Sequence, residues 1–167
     1  MGIIAQTSRI VIREFLPEEE NIYLNHFNDE MVTQYIPKRS RDERINIFRT
    51  ALEQYPVNKK AGLWGMFNKA DGAFIGSCLL RPFNNEPGIL ELGYSMERKY
   101  WGTGIGTEMA AAMVAYGFSD KKISEVVAVT DLGNIGSQRV LEKALKRMDN
   151  LLRDGEELTF FSLKRMG

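Results

Sequence analysis

Apolar and polar positions in the first third of the chain predict a short strand followed by two helices. Residues 9–15 (RIVIREF) alternate polar and apolar side chains, which is the two-residue period of a half-buried strand. Pro17 and the three glutamates after it predict a helix to about Asn28, because acidic side chains are favourable in a first helical turn. Pro37 breaks the chain, and apolar residues three or four apart predict a second helix over about 40–55.

Three strand-like runs follow, at 62–68, 73–80 and 89–96. An Asp-Gly pair at 71–72 separates the first two runs and is a strong hairpin signal. The sequence FNNEPG at 83–88 is a second turn cluster. These patterns predict an antiparallel meander in the middle of the chain.

The last third of the chain alternates helix-like and strand-like runs. We expect a helix over about 107–118, a strand at 125–130 and a helix over about 135–147. Two final runs, at 151–153 and 158–164, are separated by an Asp-Gly pair and predict a closing hairpin.

Size and composition agree with one mixed α/β domain over 1–167, with about seven strands in a mostly antiparallel sheet and about four helices. Lys and Arg number 22, as do Asp and Glu, so the overall charge does not favour nucleic acid as a partner. No run approaches the length of a membrane span, and the first residues lack a signal-peptide pattern. We therefore expect no membrane partner and a cytoplasmic location.

The single cysteine and the single histidine limit the chemistry. With only Cys78 and His26, an intramolecular disulfide is impossible and a His/Cys zinc site is close to excluded, so we expect no metal. Cys78 lies in an apolar run, which favours a buried thiol over a nucleophile. For His26, a role as a base stays open beside the commoner role of an ordinary histidine on a helix face.

The segment 100–108 (YWGTGIGTE) is the most informative in the chain. Its glycines, Gly102, Gly104 and Gly106, alternate between a predicted strand and a predicted helix. Glycine lets a backbone turn tightly and come close to a ligand. The first amides of a helix have no partner within it, and the helix dipole favours an anion there. The segment therefore predicts a phosphate-binding turn.

The spacing argues against the two best-known nucleotide-binding turns. A dinucleotide-binding fold uses G-x-G-x-x-G in its first strand–helix unit, whereas here G-x-G-x-G follows about four predicted strands. A Walker A loop ends in Gly-Lys-Ser/Thr, and this segment ends in Gly-Thr-Glu. A purely structural tight turn stays open, as does a site for the pyrophosphate of coenzyme A.

Three motifs in this order resemble those of the GNAT acetyltransferases: ELGY at 91–94, the glycine segment at 100–108, and NIGSQR at 134–139. The resemblance covers nearly the whole chain and is closest to the branch that contains the ribosomal-protein N-terminal acetyltransferases. Trp101 stands where the superfamily has Gln or Arg, but Tyr-Trp-Gly is common in that branch. The helix after 134 lacks the family's usual Leu-Gly-Phe, so its end is expected to differ.

The resemblance implies a splayed central sheet and acetyl-CoA-dependent transfer of an acetyl group to a primary amine, which attacks the thioester directly. A protein N-terminal α-amine is favoured: at pH 7 its deprotonation costs about 1 kcal/mol, against about 4.6 kcal/mol for a lysine. Polyamines or other small amines stay open as acceptors, as does a non-catalytic acyl-CoA-binding module. Terminal strands in this superfamily often mediate dimers, which suggests a homodimer through 158–164.

The resemblance also assigns roles to residues. Glu91 would be the general base, with a pKa raised by burial, and Ser137 would donate a proton to the leaving thiolate. The predicted cofactor-binding residues are Tyr94, Ser95, Met96, Trp101, Gly102, Thr103, Gly104, Ile105, Gly106, Thr107 and Asn134. Tyr35 and Trp64 would contact the acceptor. Plainer roles stay open: Glu91 as a solvated strand residue, Asn134 as a helix cap only, and the two aromatic side chains as core.

Overall fold

The computed structural model describes residues 2–166, which form one eight-stranded sheet with five α-helices. The strands are β1 (Ile3–Gln6), β2 (Ile10–Arg13), β3 (Gly62–Asn68), β4 (Phe74–Phe83), β5 (Glu86–Met96), β6 (Glu125–Asp131), β7 (Lys146–Arg153) and β8 (Glu156–Lys164). The helices are α1 (Glu20–His26), α2 (Glu30–Thr33), α3 (Arg41–Gln54), α4 (Ile105–Phe118) and α5 (Ile135–Glu142). None of the helices in this described part is long and apolar enough to cross a membrane.

The sheet is mixed and mostly antiparallel, which confirms the predicted fold class. Its strand order is β1-β2-β3-β4-β5-β6-β8-β7. Only β5 and β6 run parallel, because α4 carries the chain back across the sheet between them. The predicted meander corresponds to β3, β4 and β5, which pair in sequence order.

The parallel pair β5–β6 is short, and this creates the predicted splay. Ile89, Leu90 and Glu91 pair with 125–127, but β5 continues to Met96 without further β6 partners. On its other side β5 stays paired with β4 to its last residue. On the β6 side, the backbone N–H and C=O groups at the end of β5 therefore have no strand partner. This is expected where a ligand binds between strands.

The two faces of the sheet are covered differently. The long helix α4 buries Met109 and Met113 completely, and its Gly117 lies close to Leu90 and Leu80. On the opposite face, Phe15 packs edge-on against Tyr23 of α1, and its ring lies tilted against Phe48 of α3. The apolar face predicted for the helix at 40–55 therefore does pack against the core. The helix α3 itself ends at Gln54.

Two local predictions were wrong. The helix predicted over 135–147 ends at Glu142, and Lys146 begins the strand β7. This edge strand is mostly exposed on both faces and its pairing with β8 is irregular, so it shows no alternation in sequence. The N-terminal strand β1 was missed for a similar reason, because it is four residues long and only half-buried.

The guess that 158–164 forms a dimer interface meets a topological obstacle. This segment lies in β8, which pairs with β6 on one side and with β7 on the other. Both backbone edges of β8 are therefore in use, and a partner strand cannot add to it. The homodimer itself stays a prediction.

Candidate active site

A cleft of about 380 Å³ lies where β5 and β6 part. Its walls come from α2 and the turn after it, from the end of β5, from the glycine segment and from the start of α5. It brings together eight of the predicted site residues: Tyr35, Tyr94, Ser95, Met96, Trp101, Gly102, Asn134 and Ser137.

The lining of the cleft is mostly apolar and carries no acidic side chain in the part of the chain that the structure describes. Met31, Ile36, Met96 and Val140 are among the apolar residues. The polar groups are a few hydroxyls and amides at the end of β5 and the start of α5. A mostly apolar pocket with a small number of placed polar groups is typical of a small-molecule site.

The glycine segment makes a tight turn that leaves most of the first amides of α4 without side-chain caps. Gly102 and Gly104 have φ values of 71° and 87°, a left-handed conformation that favours glycine. Gly104 is the N-cap of α4 and has no side chain to cap it, and one long hydrogen bond joins the Ile105 amide to Thr103 Oγ1 at 3.5 Å. Trp101 closes the turn, since its indole Nε1 donates to the backbone oxygen of Met96 at 2.9 Å. The amides at the start of α4 are therefore available to an anion.

The glycine segment is also tied to the N-terminal strands. Arg9 donates from Nη1 to the backbone oxygen of Thr103 at 2.9 Å and pairs through Nε with Glu108. Glu108 in turn accepts a hydrogen bond from the Thr7 hydroxyl at 2.6 Å. These contacts tie the turn and the first turn of α4 to the segment between β1 and β2. They also show that Glu108, in the first turn of α4, already has partners.

The remaining residues of the glycine segment do not line the cleft. The Thr103 hydroxyl donates to the backbone oxygen of Tyr100 at 2.6 Å and so serves the turn itself. Ile105 is buried in the core, and Gly106 lies close to Val140 of α5. Thr107 is a half-buried residue in the first turn of α4. Any role of this stretch in binding therefore falls to its backbone amides.

At the other side of the cleft, two hydroxyl groups are joined by a hydrogen bond. Tyr94 Oη and Ser137 Oγ lie 2.9 Å apart. Burial raises the pKa of Tyr94, so its phenol stays protonated and able to donate. Asn134 is the N-cap of α5, with its Oδ1 accepting from the Ser137 amide at 3.2 Å. The cap role of Asn134 is thus present, and its position in the cleft wall leaves its amide nitrogen for a ligand.

Glu91 is not placed as a general base would be. It is 5% exposed and does not line the cleft. Arg153 of β7 donates to both of its carboxylate oxygens, at 3.0 and 3.1 Å, and Arg81 of β4 donates at 3.4 Å. Burial by itself would raise the pKa of Glu91, but these hydrogen bonds and charges outweigh it and lower the pKa. The expectation of a raised pKa was therefore wrong.

Of the two aromatic residues predicted on the acceptor side, one lines the cleft and the other does not. Tyr35 lines the cleft and is 37% exposed. Trp64 is 2% exposed and packs edge-on against Tyr116 of α4, with ring centroids 5.6 Å apart. Trp64 is therefore a core residue on the face that α4 covers, and it does not reach the cleft.

Sequence reasoning did not single out a buried polar chain beside the cleft. His26, the last residue of α1, lies 2.7 Å from a Glu97 carboxylate oxygen through Nδ1 and 2.9 Å from the Ser95 hydroxyl through Nε2. Ser95 and Glu97 are two residues apart in extended backbone, so a shared face was visible in the sequence. The contribution of His26, 69 positions away from Ser95, was not.

The described residues contain no group of three or more His, Cys, Asp or Glu side chains arranged to hold a metal ion. Cys78 is fully buried, and burial raises the pKa of its thiol. It is therefore an inert core thiol.

Comparison with known proteins identifies this arrangement. The model of the acetyltransferase (GNAT) domain matches residues 9–144. The uncharacterized protein YkkB of Bacillus subtilis is 34% identical over 122 residues, which is 70% of this chain and 69% of YkkB. The uncharacterized N-acetyltransferase p20 of Bacillus licheniformis is 25% identical over 90% of this chain and 86% of its own length.

Solved structures share the fold at low sequence identity. RimL, a ribosomal L7/L12 α-N-protein acetyltransferase solved with coenzyme A, superposes with a TM-score of 0.77 at 11% identity over 97% of both chains. The aminoglycoside acetyltransferase AAC(6')-Ib, also solved with coenzyme A, gives 0.75 at 15% identity over 93% of this chain and 95% of its own. Both therefore support the fold.

The environment of Glu91 predicts a loss of stability, and no change of pH–rate behaviour, for Glu91→Gln. Near pH 7, the free energy of unfolding of the variant should be about 1–3 kcal/mol lower than that of the wild type, because charged hydrogen bonds to Arg153 are lost. The folded pKa lies below the ordinary value of 4.5, so this contribution is present above pH 4.5 and disappears as pH falls through the folded pKa. Denaturant titrations at several pH values measure the difference.

The exposed Glu86 of the same strand supplies the matched control, Glu86→Gln, which should change stability little. If Glu91→Gln removes the acidic side of the pH–rate profile while stability is unchanged, Glu91 is the base after all.

Proposed function

The chain belongs to the acetyltransferase (GNAT) family, and on that premise we propose that it acetylates the N-terminal α-amine of a protein, with acetyl-CoA as donor. Acetyl-CoA-dependent acetylation is what the family does, and related folds are solved with coenzyme A. The observation that carries the choice of acceptor is the lining of the cleft, which holds no carboxylate among the described residues.

A cleft without acidic groups suits an acceptor with one charge better than one with several. Polyamines and aminoglycosides carry several ammonium groups, and their binding without carboxylates would leave those charges unpaired. An α-amine also needs the weaker base, since its pKa of about 7.7–8.0 is more than two units below that of lysine. The apolar wall beside Tyr35 offers packing to the first side chains of a peptide.

The donor would be held mainly by backbone. The amides at the start of α4 suit its pyrophosphate, because the N-cap Gly104 has no side chain to occupy them and the positive end of the helix dipole lies there. The edge of β5 that has no strand partner, at Tyr94, Ser95 and Met96, suits the amide groups of its pantetheine arm, except at the Met96 oxygen, which accepts a hydrogen bond from Trp101. Asn134 adds a side-chain amide from the opposite wall of the cleft.

The hydroxyl pair at the base of α5 suits protonation of the departing thiolate. Ser137 would donate to the sulfur, and Tyr94 would donate to Ser137 in the same direction across their 2.9 Å hydrogen bond. The protonated state of Tyr94, which burial favours, is the state that this role needs. The chain therefore has an acid for the leaving group without using a carboxylate.

The acceptor assignment predicts a clear order in a panel of amines. With acetyl-CoA and thiol release as the readout, peptides with a free N-terminus should give the highest kcat/KM. The same peptides with a blocked N-terminus and an internal lysine, spermidine and an aminoglycoside should be much poorer. A higher kcat/KM for spermidine or the aminoglycoside would replace the proposed acceptor with a small amine. Binding of coenzyme A without turnover of any amine would make the protein an acyl-CoA-binding module.

The turn at Gly104 predicts loss of coenzyme A binding in Gly104→Val. A β-branched residue at φ 87° is strained by about 1–3 kcal/mol, and its side chain would approach both the bound phosphate and Arg9. Affinity measured by calorimetry should fall at least about tenfold, the equivalent of 1.4 kcal/mol. Gly155→Val is the matched control, because Gly155 has φ 79° with no neighbour within 4 Å and lies in the β7–β8 turn. Equal affinity in the two variants would reject the phosphate-binding turn.

The position of Ser137 predicts a loss of rate without a loss of donor affinity in Ser137→Ala. We expect kcat to fall by roughly 10²-fold, the low end for general acid catalysis, because a thiolate is already a good leaving group. The dissociation constant of coenzyme A should stay within about twofold of the wild-type value. Ser124→Ala, on the surface beside Gly88, is the control. If affinity falls and kcat does not, Ser137 is a binding residue only.

A further inference from the structure

A continuous chain of polar groups runs from the cleft to solvent through the protein. Ser95, half-buried, lines the cleft and is hydrogen-bonded to His26, whose side chain is completely buried. His26 is hydrogen-bonded in turn to Glu97, whose side chain is 36% exposed. The chain therefore has one end where an acceptor amine would lie and the other end at the protein surface.

The partners of His26 determine its tautomer. An ionised carboxylate can only accept hydrogen bonds, so the proton of the neutral imidazole must be on Nδ1, facing Glu97. Nε2 then accepts the hydrogen bond from the Ser95 hydroxyl. As a result, the lone pairs of the Ser95 oxygen are left to accept a hydrogen bond from the cleft.

The surroundings keep His26 neutral before reaction. Burial, with the rings of Phe27 and Phe74 packed edge-on against the imidazole, lowers its pKa below 6.5. The charge of Arg44 on α3 acts in the same direction, while Glu97 and Asp29 act against it. At pH 7 the imidazole is therefore free to take a proton, and the Glu97 carboxylate stabilises the imidazolium that forms.

We propose that Ser95, His26 and Glu97 form the proton relay that deprotonates the acceptor amine. The proposal rests on the acetyl transfer proposed above and supplies the base that Glu91 does not. No other described residue that lines the cleft offers a neutral imidazole or a carboxylate, directly or through one hydroxyl.

The relay balances as follows. The oxygen of Ser95 takes one proton from the acceptor ammonium while its own proton moves to Nε2 of His26, leaving a neutral amine and an imidazolium. The amine lone pair forms the C–N bond, the C–S bond breaks, and its electron pair leaves on sulfur. The second proton leaves the nitrogen to solvent, and solvent restores the proton that Ser137 and Tyr94 give to the sulfur. His26 then releases the first proton to solvent beside Glu97.

Ser95 acts in this relay as a proton carrier and not as the nucleophile. Transfer of the acetyl group to its oxygen would replace a thioester with an oxygen ester, which is less reactive towards amines. In the direct attack the amine reacts with the thioester itself, and Ser95 contributes only a hydroxyl group that carries a proton.

The test compares pH profiles of kcat/KM for the wild-type protein, His26→Gln and Ser95→Ala. The wild type should keep its activity below pH 7, because the lowered pKa of His26 leaves the imidazole neutral there and able to remove the proton of the ammonium. The variants should react only with amine that is already neutral, about a tenth of an α-amine with pKa near 8 at pH 7. We expect at least a tenfold loss at pH 7 that shrinks through pH 8 and has almost gone by about pH 9.

Two further variants separate a relay from a structural role. Ser95→Thr restores a hydroxyl and should restore the wild-type pH dependence even if its rate is lower. Ser77→Ala, at the buried position that pairs with Ser95 on β4, should keep the wild-type profile. Coenzyme A affinity and thermal unfolding of each variant show that the fold is kept.

Three results would overturn the relay: a loss that is the same at every pH, no loss in Ser95→Ala, or an acetyl adduct on Ser95 that forms without acceptor. Failure of the proposed acceptor is a separate outcome. If the wild type acetylates spermidine and not peptides, the acceptor assignment fails, and the same pH comparison with spermidine still decides the relay.

Discussion

The early parting of β5 from β6 is the constraint on which the rest of the site depends. The two strands pair only as far as Glu91 and Val127, yet each keeps its other neighbour to its end. The gap is therefore a fixed opening in a continuous sheet and not a frayed edge. It exposes one side of the β5 backbone and brings the turn before α4 and the start of α5 to the same cleft, so one parting serves both the proposed phosphate-binding turn and the pair of hydroxyls.

Glu91 occupies the last paired position before this parting, which explains a buried carboxylate in an apolar strand. Its bonds to Arg81 and Arg153 join β4, β5 and the distant β7 on one face of the sheet. A family resemblance had suggested a base at this position. The two arginines instead make it an ion-paired structural residue, and the base that we propose is His26, on α1.

The parts of the fold that could be predicted are those governed by neighbours in sequence. The glycine segment was readable because alternating glycines, an uncapped helix start and left-handed φ values are all local properties. The meander was readable from its turn residues. The strand β7 was not, because its residues adopt extended structure only through pairing with β8. The place of Trp64 was not readable from the sequence either, because both faces of β3 are buried and only the packing against Tyr116 shows that Trp64 lies on the face covered by α4.

The sequence by itself therefore determined the mixed α/β class, the family and the glycine turn before α4, because these depend on residue type at fixed spacing. Tertiary structure alone decided which hydrogen-bond and ion-pair partners each ionisable side chain has. Whether a carboxylate meets two arginines, as Glu91 does, or an imidazole, as Glu97 does, depends on elements far apart in the chain. Those contacts set the proton chemistry, which is why the proposed relay from Ser95 through His26 to Glu97 became visible only in the folded protein.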